Sequence, residues 1–384
     1  MNDQVKSDWD PRSEEVLRDP RAAYDEMRER CPVAYSEFMQ WSLFRHEDMT
    51  RVLHDHETFG NAVSHHLTVP NGMDPPEHTA YRCIIERYFT RQRMDAFEPA
   101  CRAIVADLVQ NALARGAVEL MADVALPFAV RVQCAFLGWS STWHGPLARW
   151  TQKNYEATLV QDRQALSEIA REFEGFIDDL IDTRLQAGAK PEEDVTAALM
   201  NETVWGRPLS NEEIASILRN WTVGEIGSIA AAVGILAHSL AQHVELQQQC
   251  RAQPSLLPAA IDEILRIHGP LVANRRVTTR PVEIGGRKIE AGERISLMWI
   301  AANRDGRVFA DPDRFRLDRD PAQNLLYGAG IHVCPGAPLA RMELRVILEE
   351  LLERTTGIGP VSEQPPTHAV YPASGFATLP LWIR

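Results

Sequence analysis

The sequence predicts a mainly α-helical protein with a smaller β-rich region, and three observations support this fold class. Several long segments repeat apolar residues every three to four positions, which is typical of amphipathic helices. A Gly285-Gly286 turn separates two short segments with the composition of strands. The chain of 384 residues contains no internal repeat or low-complexity tract. By its length, the chain could form one large domain or two smaller ones.

Helices account for most of the regular structure that the sequence predicts. Residues 94–116 and 167–188 have helical spacing of apolar residues and end at a glycine, and Ser210 with Glu213 forms a capping box. The other helices are expected at about 211–243, 255–268 and 337–354. Strands are expected at 33–35, 41–44, 282–289 and 294–300, and the C-terminal part at 365–384 is expected to be extended.

Charge and hydropathy exclude several classes of protein. The net charge of −13 argues against nucleic acid as a partner. The N-terminus is polar and acidic and has no signal-peptide core, and the apolar stretch at 229–237 is too short to span a membrane. We therefore expect a cytoplasmic protein. Its six cysteines are scattered without a CxxC pair, which does not resemble a disulfide framework or a zinc site.

A glycine-rich loop carries one of these cysteines just before a predicted helix. Residues 327–336 read YGAGIHVCPG, and Cys334 lies three residues before the segment at 337–354. The positive end of a helix dipole and free N–H groups stabilise a thiolate. A thiolate held in this way can ligate a metal such as haem iron. A lone cysteine, in contrast, is more often a buried structural residue.

The whole loop resembles the haem-binding loop of the cytochrome P450 family, whose pattern is aromatic-Gly-x-Gly-x-His-x-Cys-x-Gly. Every position is filled, with Tyr327 where the family usually has phenylalanine. The resemblance covers roughly residues 15–384 and implies the cytochrome P450 fold of the soluble bacterial type, with haem b as the cofactor. It implies one haem-thiolate domain, residues 1–384, with about residues 1–15 disordered. It implies that Cys334 ligates the metal and that His332 and Gly336 also bind the cofactor.

A second segment, residues 74–82, places two cationic side chains one helical turn apart. His78 and Arg82 are i,i+4 and lie on one helix face, which by itself favours a solvated basic surface. The segment is similar to the family's DPPEHxxxR motif, whose His and Arg hold a haem propionate. The resemblance gives this role to His78 and Arg82, and Arg276 matches the family's second propionate-binding arginine.

The long helix predicted at 211–243 departs from the family pattern. Counted from the segment that looks like the family's His-Pro-Glu, Ser228 stands at the usual threonine position and Gly227 at the preceding acid position. Glu225 and Ser228 are i,i+3 and can share one helix face. Three interpretations of Glu225 stay open: a proton relay with Ser228, a contact to a polar substrate group while water carries the protons, or a solvated side chain.

Two further groups of residues follow from the resemblance. Glu263 and Arg266 match the family's Glu-x-x-Arg pair, which an arginine, here Arg314, joins to support the cysteine loop; as an exposed pair they would contribute only about 0.3–0.5 kcal/mol. The residues expected to line an apolar substrate pocket are Ile226, Gly227, Leu271, Val272, Asn274 and Phe376.

The implied activity is a haem-thiolate monooxygenase acting on a small organic substrate. Electrons would come from NAD(P)H through a separate reductase and a ferredoxin. Arg341 and Arg345 are candidates for docking that donor, or belong to a solvated helix face. Two alternatives stay open. One is a peroxide-driven, coupling or rearranging haem-thiolate enzyme, suggested by the displaced acid, and the other is a non-catalytic haem-binding sensor.

Overall fold

The computed structural model describes residues 6–64, 66–192 and 194–384. It confirms a mainly α-helical fold with a smaller β part. The helices are α1 (Glu14–Arg18), α2 (Pro20–Arg30), α3 (His46–His54), α4 (Glu77–Glu86), α5 (Arg91–Arg115), α6 (Leu126–Leu137), α7 (His144–Leu159), α8 (Arg163–Ala187), α9 (Val195–Met200), α10 (Asn211–Gln242), α11 (Val244–Ala252), α12 (Leu257–His268), α13 (Trp299–Asn303) and α14 (Ala337–Arg354).

The strands are short. They are β1 (Val33–Ser36), β2 (Gln40–Leu43), β3 (Phe59–Gly60), β4 (Ala117–Glu119), β5 (Thr203–Val204), β6 (Arg207–Pro208), β7 (Ala273–Thr278), β8 (Val282–Ile284), β9 (Arg287–Ile289), β10 (Arg294–Met298), β11 (Ile358–Pro360), β12 (Thr367–His368), β13 (Phe376–Thr378) and β14 (Pro380–Ile383). The predicted Gly-Gly turn joins β8 to β9, with φ of 55° at Gly285 and 75° at Gly286. These left-handed values are readily adopted by glycine, which is why the hairpin was visible in the sequence.

The chain forms two compact units. Among the described residues, unit 1 takes those within 1–65, 71–75 and 262–334, and unit 2 those within 66–70, 76–261 and 335–384. The single domain expected from the sequence stays a prediction.

Unit 1 is built on a five-stranded sheet in the order β1-β2-β10-β7-β3. The β2–β10 pair is parallel and the other pairs are antiparallel. Trp41 aligns with Tyr35 on β1 and with Ile295 on β10, and its side chain is buried in the apolar cluster of this unit. On the other side of β10, Arg276 of β7 aligns with Ile295. The sheet therefore fixes the position of one predicted cofactor-binding arginine.

The N-terminal segment is more ordered than the sequence predicted. Trp9 is buried and makes edge-on contacts with Tyr24 and Phe44, at ring-centroid distances of 6.2 Å and 5.2 Å. The Asp8 carboxylate accepts a hydrogen bond from the backbone N–H of Tyr35 at 2.7 Å. Disorder over about 1–15 is thus wrong for residues 8–15, because an indole buries enough apolar surface to hold the segment. Residues 1–5 lie outside the described residues.

Helix α10 is the central helix of unit 2. The predicted capping box is present, with Ser210 Oγ accepting from the N–H of Glu213 and the Glu213 carboxylate accepting from the N–H of Ser210. Within the described residues, α10 is long and apolar enough to cross a membrane by length and composition alone. However, 67% of its apolar window is buried inside the protein. Its contacts with α6, α8 and α14 account for this composition, because a helix that is apolar all round must be covered on every side.

Candidate functional site

The Cys334 loop folds back on itself within unit 1. The backbone N–H of Cys334 donates to the carbonyl of Tyr327 at 2.8 Å, and the Cys334 side chain is exposed. Gly330 has φ of 68°, and a Cβ there would lie 2.1 Å from the carbonyl oxygen of Leu53. Glycine is therefore required by both conformation and space. The interpretation of Cys334 as a buried structural cysteine is wrong, since the residue is exposed.

Two predicted cofactor-binding residues of unit 1 share an acidic neighbour, Asp74. His332 Nε2 lies 3.9 Å from Asp74 Oδ1, and Asn61 donates to Asp74 through its backbone N–H at 3.0 Å and its side-chain amide at 2.7 Å. Burial by itself would raise the pKa of Asp74, but His332 and Asn61 outweigh it and hold the pKa at about 2. Burial lowers the pKa of Arg276 to about 10, against the opposing field of Asp74.

The donors of unit 1 fit a haem. Arg276 is 9% exposed, and among the described residues its guanidinium donates one hydrogen bond, to the carbonyl of Arg275 at 2.8 Å. A buried cation with so few partners is costly and favours an anion such as a propionate. An exposed thiol is the kind of ligand that haem-thiolate chemistry needs. The two requirements are met by Arg276 and Cys334 in the same unit.

Unit 2 carries the other predicted cofactor-binding residues. His78 and Arg82 lie one turn apart on α4 and are buried, with 2% and 8% exposure, so the solvated basic face is wrong. Arg82 Nε donates to Glu86 Oε1 at 2.7 Å. Gly336 is the N-cap residue of α14, and its carbonyl accepts from the N–H of Ala340 at 2.9 Å. Their roles toward the cofactor remain proposals.

The Glu263–Arg266 pair is buried, as the resemblance implied, but its third member was misassigned. Arg266 donates to both carboxylate oxygens of Glu263, at 2.7 Å and 2.9 Å, with exposures of 1% and 5%. The arginine that joins them is Arg319, whose Nε donates to Glu263 Oε1 at 2.8 Å. Arg314 is exposed and contributes only its backbone carbonyl, which accepts from Arg319 at 2.9 Å. The course of the loop carries Arg319 inward and leaves Arg314 outside.

Helix α10 directs Glu225 toward α14 and α5. Glu225 lies beside Glu343, which is fully buried, and the Cys101 thiol lies near the pair. Oε1 of Glu225 and both carboxyl oxygens of Glu343 receive no hydrogen bond from N–H or O–H groups fixed in the described residues. A proton on one carboxyl group would let it donate to the other. The solvated interpretation of Glu225 is therefore wrong.

Burial raises the pKa of both carboxyl groups, and the field of Glu225 raises that of Glu343 further. Ser228 lies on the same helix, and its hydroxyl donates to the carbonyl of Gly224 at 2.5 Å. Both carboxyl groups therefore favour the protonated form more strongly than an exposed glutamate does.

Replacing Glu343 with glutamine is expected to stabilise the fold, by a margin that grows as pH rises. In the wild type, the unfolded carboxyl ionises above its ordinary pKa of about 4.5 while the folded one stays protonated, so stability falls with rising pH. Glutamine does not titrate and can still donate to Glu225. Urea unfolding at pH 5 and pH 8 measures the effect. Glu353→Gln, at an exposed position of α14, is the control. If the free energies of unfolding of the variant and the wild type differed by the same amount at both pH values, the result would contradict a protonated pair.

The predicted substrate-pocket residues have different environments. Ile226 is completely buried, so the structure packs it into the core of unit 2 instead of leaving it to line an open pocket. Phe376 is 8% exposed and lies between the imidazole rings of His238 and His368, at 4.6 Å and 5.2 Å. In unit 1, Leu271 is 40% exposed, Val272 is buried and Asn274 Oδ1 accepts from Trp299 Nε1 at 2.8 Å. Gly227 lies against Tyr155 of α7.

The two arginines considered for partner docking also differ. Arg345 is engaged within unit 2, where its guanidinium binds Glu98 at 2.5 Å and Glu349 at 3.0 Å. Arg341 is exposed. Arg345 is therefore less suited to docking a partner, because two carboxylates already neutralise its charge.

Sequence reasoning missed three residues of interest. Glu343 had a visible signal, because helical spacing places it in the buried stripe that contains Met342, Val346 and Ile347. Arg319 and Tyr155 had none, since their partners are distant in sequence.

The sequence of this chain is similar to known proteins of one family. A model of the family described as Cytochrome P450 matches residues 140–368. The chain is 30% identical to cyclomarin C epoxidase CymV of Salinispora arenicola, over 87% of this chain and 88% of that protein. It is 33% identical to mycinamicin IV hydroxylase/epoxidase of Micromonospora griseorubida, over 87% and 88%.

Solved structures are similar over nearly the whole chain. A mutant of P450 EryK in complex with erythromycin B has a TM-score of 0.87 and 26% identity, covering 95% of this chain and 96% of that one. CYP109Q5 from Chondromyces apiculatus has a TM-score of 0.85 and 28% identity, covering 97% of both chains.

Proposed function

The chain belongs to the cytochrome P450 family, and we propose that it inserts one oxygen atom from dioxygen into a small, largely apolar organic substrate. As a member of that family it is a monooxygenase with haem b as its cofactor. The observation that carries the proposal is the exposed Cys334 on a loop shaped by Gly330.

The residues that would hold the haem follow from the site. Cys334 would supply the thiolate ligand. Buried Arg276, with His332, would neutralise propionate charge, and His78 and Arg82 would do the same from α4. Gly336, without a side chain, would leave room beside the cofactor. When bound, the haem supplies dioxygen activation and oxygen transfer to the substrate.

Proton delivery is the task of residues on α10. Ser228 carries a hydroxyl that can pass a proton, and in the resting arrangement it donates to the carbonyl of Gly224. Glu225 lies on the same helix beside Glu343 of α14, and burial raises the pKa of both carboxyl groups, which favours their protonated forms. We propose that Ser228 acts with Glu225 or with water. A direct contact between Glu225 and the substrate is less consistent with its position beside Glu343.

The substrate pocket is proposed to be apolar, with Val272, Leu271 and Phe376 as contacts and Asn274 as a polar exception. Relatives named as an epoxidase and a hydroxylase/epoxidase are consistent with oxygen insertion into organic molecules. We propose that electrons come from NAD(P)H through a separate reductase and a ferredoxin-type donor, which docks near Arg341, and that the enzyme works in the cytoplasm.

Turnover with labelled dioxygen tests this function. The purified protein, reduced by a ferredoxin and its reductase, would be given compounds that shift the spin state of the haem. We expect a product containing one labelled oxygen atom. Release of labelled peroxide alone, with no oxidised product from any spin-shifting compound, would contradict monooxygenase activity and favour a haem-binding sensor.

A peroxide-driven or rearranging haem-thiolate enzyme is the second candidate. It is favoured by Gly227, which leaves no carboxyl group at the position where the family pattern has an acid. For this candidate, we expect rapid turnover with hydrogen peroxide and no turnover with reduced ferredoxin.

A further inference from the structure

Helix α7 meets α10 at a glycine. A Cβ on Gly227 would lie 1.4 Å from Tyr155 Oη and 2.8 Å from Tyr155 Cζ. Tyr155 therefore occupies the space that any side chain at position 227 would need. Glycine inside a helix costs about 1 kcal/mol relative to alanine, and this close approach explains why glycine stands here. Gly224, on the same helix, differs, because a Cβ there would meet no described atom within 4 Å.

The contact brings a phenol hydroxyl beside Gly227 and Ser228. Position 227 is where the family pattern carries an acid, so a protic group reaches this place from another helix instead of from α10 itself. The adjacent Ser228 hydroxyl already donates its hydrogen bond to the carbonyl of Gly224. Tyr155 is thus the residue of α7 that offers a proton donor at this point.

The Tyr155 hydroxyl has a donor capacity that the fold does not use. Among the described residues it makes no hydrogen bond. Its side chain is half-buried, and burial raises the pKa of Tyr155 to about 12, so the phenol keeps its proton at neutral pH. Unlike the fully buried polar atoms that lack a partner, the Tyr155 oxygen keeps some exposure, so an acceptor on a bound molecule can reach it.

We propose that Tyr155 determines substrate specificity by donating a hydrogen bond to an acceptor oxygen of the organic substrate bound beside Gly227 and Ser228. The proposal rests on the proposed function. It narrows the substrate class to largely apolar molecules that carry a neutral acceptor such as a carbonyl or an ether oxygen. A molecule of the same shape without the acceptor leaves the phenol unpaired and binds more weakly.

Paired azole probes test the proposal without a known substrate. The probes are 1-phenylimidazoles carrying an acetyl group at the 2′, 3′ or 4′ position, each matched by the isopropyl compound, which has nearly the same shape and no acceptor. Kd is measured from the visible spectrum of the haem-loaded protein. We expect the wild type to prefer at least one acetyl compound, and Tyr155→Phe to lose that preference by about tenfold, which corresponds to about 1.4 kcal/mol. Its Kd for the isopropyl partner should change less than twofold.

A second variant tests the same contact from α10. Gly227→Ala forces the Tyr155 hydroxyl aside and should also lose the preference, whereas Gly224→Ala should keep it. Equal acetyl-to-isopropyl ratios in the wild type and Tyr155→Phe at all three positions would overturn the proposal and leave Tyr155 a packing residue. Absence of a thiolate-type carbonyl band in the wild type would instead overturn the proposed function. Gly227→Ala gives an independent result if Tyr155→Phe fails to fold.

Discussion

Replacing Cys334 with alanine is expected to abolish the red-shifted carbonyl band of the ferrous protein completely. The band requires a thiolate ligand to the haem iron, and Cys334 presents the exposed thiol on the glycine-shaped loop. The effect should be all-or-none in the spectrum, because no other side chain of this loop can donate a sulfur. The measurement is the visible spectrum of the reduced protein with and without carbon monoxide.

Cys83→Ala is the matched control for this experiment. Cys83, like Cys334, is exposed and forms no disulfide, but it lies on α4. Its loss should leave the band unchanged. A band that survives in Cys334→Ala, or one that disappears in Cys83→Ala, would show that the ligand is misassigned. If the Cys334→Ala variant still binds haem, its spectrum will show haem absorbance without the thiolate signature. That result would show that the fold persists.

Arg266→Ala is expected to destabilise the protein by about 3–5 kcal/mol, the largest effect on stability that we predict. Arg266 is 1% exposed, and its loss leaves the Glu263 carboxylate buried with fewer cationic partners. The change also removes hydrogen bonds to the carbonyls of Asn303 and Pro312, at 2.5 Å and 2.7 Å, and the contact of the guanidinium with the Phe309 ring. Urea unfolding at constant pH measures the change in the free energy of unfolding.

Substitutions of two nearby arginines distinguish the contribution of the buried network from that of a surface residue. Arg319→Ala removes a direct partner of Glu263 and should cost about 1–3 kcal/mol. Arg314→Ala should change stability by less than about 0.5 kcal/mol, because its side chain is exposed. A larger loss in Arg314→Ala than in Arg319→Ala would restore the assignment that the family pattern suggested.

The sequence alone determined the features that depend on neighbouring residues. The spacing of apolar residues located α10 and α14, because a helix places residues three and four apart on one face. The Gly285-Gly286 pair located the β8–β9 hairpin, because two left-handed residues favour such a turn. The prediction that Cys334 ligates the haem also came from neighbouring residues, since its loop is a contiguous motif whose Gly330 meets local conformational and spatial requirements.

Only the tertiary structure decided the features that join distant parts of the chain. The pattern nominated Arg314, but the path of the loop turns Arg319 inward to Glu263. Periodicity placed Glu343 on a buried face without naming its partner, which the packing of α10 against α14 supplies as Glu225. Side-chain spacing specifies which face of a helix is covered. Which residue covers it depends on how the helices pack, and that packing is set by the whole fold.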